Sequence, residues 1–153
     1  MLVMNQQMHN QYQEARTKHL AQKNLRLSEI AKSGFELRDG CYFLKQLIPT
    51  ETNVNAGSFP DRTGYECFIN HIHLDDYVDS DYLVHGIDYI RQVFLTWNKR
   101  YRKRKLIAVL AISESSPTVR FHTKRSGEQW LSDNMEGYEE PVLTVDSSEI
   151  GFP

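Results

Sequence analysis

Six apolar side chains, Leu83, Ile87, Ile90, Phe94, Trp97 and Tyr101, recur at intervals of 4, 3, 4, 3 and 4 residues. This spacing returns to one side of a helix with 3.6 residues per turn, so the segment predicts a long helix with a single apolar face. Asp79 or Ser80 is placed to cap its start, since either side-chain oxygen can accept from the free amides of the first turn. The cations that follow from Lys99 complement the negative pole of the helix dipole at its end. Phe94 and Trp97 lie on the stripe and are expected to be buried against whatever the helix covers.

The flanking segments read as strands. Leu106 to Ile112 is a continuous apolar run, the pattern of a strand covered on both faces. Glu114-Ser115-Ser116-Pro117 makes a turn, and Thr118 to Thr123 then alternates, with Val119, Phe121 and Thr123 on one face and Arg120 and His122 on the other. The short gap predicts an antiparallel hairpin. Gly127 to Tyr138 reads as irregular chain or a short helix, and Pro141 to Val145 as a last strand with Leu143 and Val145 to one side. Upstream, Cys41 to Ile48 and Tyr65 to Leu74 are read as two further strands, separated by a loop from Thr50 to Thr63 rich in Asn, Gly and Pro. The fold class is therefore α+β: a largely antiparallel sheet of about five strands packed against one long amphipathic helix.

Residues 1–33 have a different texture. Asn5 to Gln11 is polar and expected to fray, and Glu14 to Lys32 predicts a helix carrying Leu20, Leu27, Ile30 and Ala31, with Gly34 placed to stop it. The chain is accordingly divided into a polar N-terminal tail with its helix, residues 1–33, and a single α+β domain, residues 34–153. No apolar run reaches the length that crosses a bilayer, and the opening Met1-Leu2-Val3-Met4 is too short for the apolar region of a signal peptide, so a cytoplasmic location is expected. Cys41 and Cys67 each sit within an apolar run and read as small core residues of a reducing compartment.

A formal net charge of only −2 conceals strong segregation. Residues 128–153 hold seven carboxylates and no Lys or Arg, whereas residues 99–105 hold six cations in seven positions. Folding does not demand this, because interspersed charges keep a domain equally soluble; a one-signed surface steers an oppositely charged partner. Trp130, Leu131, Met135 and Tyr138 are interleaved with Asp133, Glu136, Glu139 and Glu140, and aromatic anchors within a charged rim are the composition of an interface hot spot. Trp130, Asp133, Glu136, Tyr138, Glu139 and Glu140 are therefore the candidate partner-binding residues.

Other chemistry has less support. His71 and His73 share a strand face and His122 could approach them, which would suit zinc or acid–base hydrolysis of phosphodiesters; a structural role is the simpler reading. Asp75, Asp76, Asp79 and Asp81 match no calcium loop and read as a solvated helix start. Glycine-rich phosphate loops and nucleophile elbows are absent from the sequence. A nucleic-acid module using Arg100, Arg102 and Arg104 is a further alternative, against which stands an isoelectric point of about 6.3. No catalytic residue, metal or cofactor is expected.

The stretch Thr118-Val119-Arg120-Phe121-His122-Thr123-Lys124-Arg125, followed by Gly127-Glu128-Gln129-Trp130-Leu131-Ser132-Asp133-Asn134-Met135-Glu136-Gly137-Tyr138, resembles the C-terminal part of small bacterial immunity proteins. These accompany the toxin tips of contact-dependent growth inhibition and related polymorphic toxin systems. The resemblance implies a cytoplasmic antitoxin that binds one cognate toxin, often a nuclease, and blocks it without catalytic residues of its own.

Overall fold

The computed structural model describes residues 1–51, 53–149 and 152. In chain order the elements are β1 (Leu2–Met4), α1 (Gln6–Ala15), α2 (Leu25–Lys32), β2 (Phe35–Arg38), β3 (Cys41–Leu44), α3 (Arg62–Ile69), β4 (His71–His73), α4 (Tyr82–Tyr101), β5 (Leu106–Ala111), β6 (Thr118–Thr123) and β7 (Val142–Asp146). Five strands form one sheet in the order β1-β7-β5-β6-β4, antiparallel at every pairing, and β2-β3 form a separate two-stranded ribbon. The fold is α+β, as the patterning implies. No helix among the described residues is long and apolar enough to cross a membrane.

The stripe on α4 does what its spacing predicts. Leu83, Ile87, Ile90, Phe94 and Trp97 are buried, and they join Ala108, Leu110, Val119, Phe121, Leu143 and Val145 in the main core. A Cβ added at Gly86 would stand 2.9 Å from Leu110 Cδ1, so a glycine in mid-helix lets α4 lie close against β5. The cap differs from the expected one. Neither Asp79 nor Ser80 caps the helix; Asp81 precedes it in the left-handed conformation, with φ 54° and no capping bond from its side chain. Asp is among the few residues that tolerate this conformation, and its carbonyl still receives the His85 amide at 3.0 Å.

Residues 1–33 are not frayed. Leu2–Met4 pairs with Leu143–Val145 as an edge strand, and Met8, Tyr12 and Ala15 of α1 enter the core. The polar opening conceals this because one buried residue organises it. Asn5 is 2% exposed. Its Oδ1 accepts from the amides of Met8 (3.0 Å) and Val142 (3.2 Å), and its Nδ2 donates to the Glu140 carbonyl at 2.8 Å. The single helix expected over Glu14–Lys32 is in fact two. α1 ends at Ala15, and α2 begins afresh where Asn24 Oδ1 accepts from the Leu27 amide. Gly34, with φ 81°, follows the end of α2 as predicted.

The strand expected over Tyr65–Leu74 is largely a helix. Asp61 Oδ1 caps α3 by accepting from the Gly64 amide at 2.7 Å, and only His71–His73 is extended. The alternation of Tyr65, Cys67 and Ile69 misleads because α3 lies between β3 and β6 and is covered on both sides, so it shows no single stripe. The expected strand at Cys41–Ile48 stops at Leu44. It pairs not with the main sheet but with β2, through an Asp39-Gly40 turn whose two φ angles, 52° and 76°, are both positive, as a two-residue hairpin requires.

Polar groups tie this ribbon to the sheet. Asn70, 1% exposed, accepts from the Leu44 amide and donates to the carbonyls of Tyr42 and Phe121. Glu66, fully buried, accepts from the amides of Tyr42 (2.7 Å) and Thr123 (2.8 Å) and from Arg125 Nη1 at 2.6 Å.

Candidate partner-binding surface

Strand register sorts residues to the two faces, because directly paired residues share a side. The pairs Ile107↔His122, Val109↔Arg120, Val109↔Thr144, Ala111↔Val142 and His71↔Arg120 place these side chains together on the face opposite α4. The chain after β6 doubles back over this face. Met135 packs with Val109 and Val142, and Leu131 and Tyr138 lie against the same cluster. A groove of about 320 Å³ remains between sheet and segment, lined by Val3, Ile107, His122, Trp130 and Asp133 among others.

The six candidate residues are not brought together as one rim. Trp130 is 42% exposed, and the Arg120 guanidinium lies over its ring at 5.0 Å, so its indole is held in place yet open to a partner. Tyr138 serves the fold: its ring is half-buried and its hydroxyl accepts from the Ser132 amide at 2.8 Å. Glu136 accepts from the Gln6 amide at 2.5 Å, at the start of α1 where the dipole favours an anion. Asp133, Glu139 and Glu140 are different, since no side-chain partner engages their carboxylates among the described residues. Glu139 and Glu140 meet Glu114 around a shallow hollow that also touches Tyr82 and Ile112. Glu114 escaped the sequence reading because it lies 25 residues away in the β5–β6 turn and only the fold brings it there.

The remaining C-terminal carboxylates are internal ties. Glu128 accepts from the Thr63 amide, and Asp146 and Glu149 both engage the Met1 ammonium, at 3.0 and 2.7 Å. Burial alone would raise the Asp146 pKa, but hydrogen bonds from Ser148 and the ammonium outweigh it and hold the group below the ordinary carboxylate value.

His71 and His73 lie side by side, ring centroids 4.5 Å apart, and His73 Nδ1 meets Ser116 Oγ at 2.9 Å. His122 is directed elsewhere, its Nδ1 against the Thr123 carbonyl, and no group of three His, Cys, Asp or Glu is placed to hold a metal ion among the described residues. Both cysteines are buried free thiols whose pKa values burial pushes up, to about 11 for Cys41. Asp75 and Asp76 are exposed in a short 3-10 turn before α4.

Burial, with the charges of Arg120 and His73, lowers the His71 pKa to about 4 from 6.5, and burial lowers that of His122. A base with a depressed folded pKa binds its proton more readily when unfolded, so stability falls as pH drops from about 6.5 towards 4. Urea midpoints at neutral pH and at intermediate points down to 4 should show this loss, and His71→Gln should remove part of it. An unchanged slope would mean that His71 titrates as an exposed residue. Asp146→Asn should leave this window alone and act at lower pH, where the depressed carboxylate takes its proton.

Comparison with known proteins places the chain. It is 27% identical over 143 residues to uncharacterized protein PM0498 of Pasteurella multocida (strain Pm70), spanning 84% of this chain and 87% of that protein. No solved structure matches it. The match to the profile of the uncharacterized protein PM0498 family runs over residues 3–152, nearly the whole folded length, and the chain belongs to that family.

Proposed function

We propose that this protein is an immunity protein, a cytoplasmic antitoxin that binds a cognate toxin and occludes its basic substrate site. The observation that carries the reading is the unpaired carboxylate of Asp133 in the groove beside an indole already fixed by Arg120, with exposed Glu139 and half-buried Glu140 continuing the returning segment to the hollow where they meet Glu114 of the β5–β6 turn. A nuclease must present cations to receive phosphates, and an acidic surface approaches such a site quickly by steering. Trp130 is the anchor in this reading. Tyr138 and Glu136 support the segment from behind, since their polar groups are used within the fold.

The test is co-expression with the product of the neighbouring upstream gene, followed by binding kinetics at two ionic strengths. Glu139→Gln with Glu140→Gln and Asp133→Asn should slow association and weaken its salt dependence without altering the melting temperature. Trp130→Ala should instead speed dissociation, costing about 2 kcal/mol or more if it is a hot spot. Failure to co-purify would sink the immunity reading. Binding with unchanged rates in both variants would move the interface elsewhere, the exposed Asp75–Asp81 edge being the other acidic surface.

A further inference from the structure

The helical face of the sheet is charged oppositely to the returning segment. Residues 6–33 and 82–105, which hold α1, α2 and α4, carry 12 of the 18 Lys and Arg residues but only 3 of the 20 carboxylates. Asp75, Asp76, Asp79 and Asp81 adjoin the start of α4, at the end away from the cations of residues 99–105, and Lys105 turns to Asp146 on the other face. The near-neutral isoelectric point averages over segments of opposite charge. Ion pairs engage only Lys18, Lys23 and Lys105 of these twelve among the described residues. Four of the arginines are held instead against aromatic rings: Arg16 over Tyr12, Arg26 over Tyr77, Arg100 over Tyr101 and Arg104 over Tyr42, at 4.6 to 5.9 Å. A guanidinium stacked on a ring is oriented at little further entropic cost, and its N–H edges stay free for a bidentate acceptor.

A concave point lies on the same face. The loop between α1 and α2 arches over α4 and leaves a hollow of about 110 Å³, lined by Arg16, Lys18, His19, Lys23 and Arg91. Its one carboxylate, Asp88, is occupied by Lys23 at 3.4 Å and by Gln92 at 2.7 Å. From Arg91 the surface continues along α4 to a second basic hollow at residues 98–104. At 1.5 Å per residue this path is about 20 Å long, the axial length of roughly six nucleotides.

We infer that this face binds the phosphate backbone of a nucleic acid, one phosphate seating in the hollow beneath the α1–α2 loop and others along the Arg91–Arg104 path. The surface is distinct from the acidic one proposed for the toxin, and the inference does not depend on that reading. The chemistry is backbone recognition, so affinity should depend steeply on salt and little on base sequence.

The experiment is fluorescence anisotropy of the full chain with a labelled single-stranded RNA and a labelled DNA duplex of about 20 nucleotides, long enough to span the roughly six-nucleotide path above with flanks on either side. Six phosphate contacts, three in each half of the path, predict binding about a thousandfold weaker at 200 than at 50 mM salt. Arg16→Gln/Lys18→Gln/Arg91→Gln, and separately Lys99→Gln/Arg100→Gln/Arg102→Gln, should each weaken binding by about tenfold or more and lower the salt slope by about 3. Circular dichroism melts confirm that each variant is folded, and Arg38→Gln/Lys124→Gln, off this face, should bind as the unaltered protein does. Binding to either nucleic acid with this pattern supports the inference. No binding at 50 mM salt, binding indifferent to both triple variants, or capture only by phosphatidylserine-containing vesicles would overturn it.

Discussion

Replacing Arg125 by Leu should cost about 3–5 kcal/mol, the expected result of leaving a buried charge without its partner. Glu66 is fully buried at the point where α3, the β2-β3 ribbon and β6 meet, and Arg125 is the cation that compensates it, at 2.6 Å with its own side chain 13% exposed. The same guanidinium reaches the Gly40 carbonyl at 3.3 Å, so its loss also loosens the ribbon's turn. For a domain of this size the change corresponds to roughly 2–4 °C in Tm per kcal/mol. The double variant Glu66→Gln/Arg125→Leu should recover part of the loss, because the uncompensated charge is then gone, although the single amide oxygen can accept from only one of the Tyr42 and Thr123 amides, which meet different carboxylate oxygens. A single-variant loss under about 1 kcal/mol in urea melts would mean that water reaches Glu66.

Trp97→Ala should be comparably severe, again about 3–5 kcal/mol. The side chain is fully buried, contacts the rings of Phe35 at 4.8 Å and Tyr42 at 5.2 Å edge-on, and donates its indole N–H to the Arg104 carbonyl at 2.7 Å. It joins α4 to the ribbon and fastens the chain leaving the helix. Trp97→Phe separates these roles: it keeps most of the ring packing but leaves the carbonyl without its donor, and should cost clearly less than Ala. Equal melts for the two variants would assign the whole effect to the hydrogen bond.

Both predictions rest on residues whose neighbours could not be read along the chain. Trp97 was legible as core from its place in the stripe, but its partners Phe35 and Tyr42 come from a hairpin that the patterning left out. Glu66 carried no signal at all, since a lone carboxylate among apolar residues looks like a strand's solvent face. Only its converging donors, the amides of Tyr42 and Thr123, the Thr123 hydroxyl and Arg125, explain its burial. At the candidate surface, Trp130, Asp133 and Glu139 are exposed and Glu140 is half-buried, whereas Tyr138 and Glu136 are turned to use within the fold. Exposure depends on what lies above a residue, and that is not a local property.

What the sequence determined by itself was whatever depends on periodicity: the α4 stripe, the buried run of β5, the β5-β6 hairpin and the last strand. In each, the spacing of apolar residues dictates which side must leave water. What the tertiary structure decided was whatever depends on contact between distant segments. It recruited Leu2–Met4 as an edge strand through Asn5, turned Arg62–Ile69 into a helix covered on two sides, and folded Leu131, Met135 and Tyr138 back onto the Val109–Val142 face of the sheet. Buried hydrogen bonds and long-range packing set those outcomes, and no local window of residues contains both partners of such a contact.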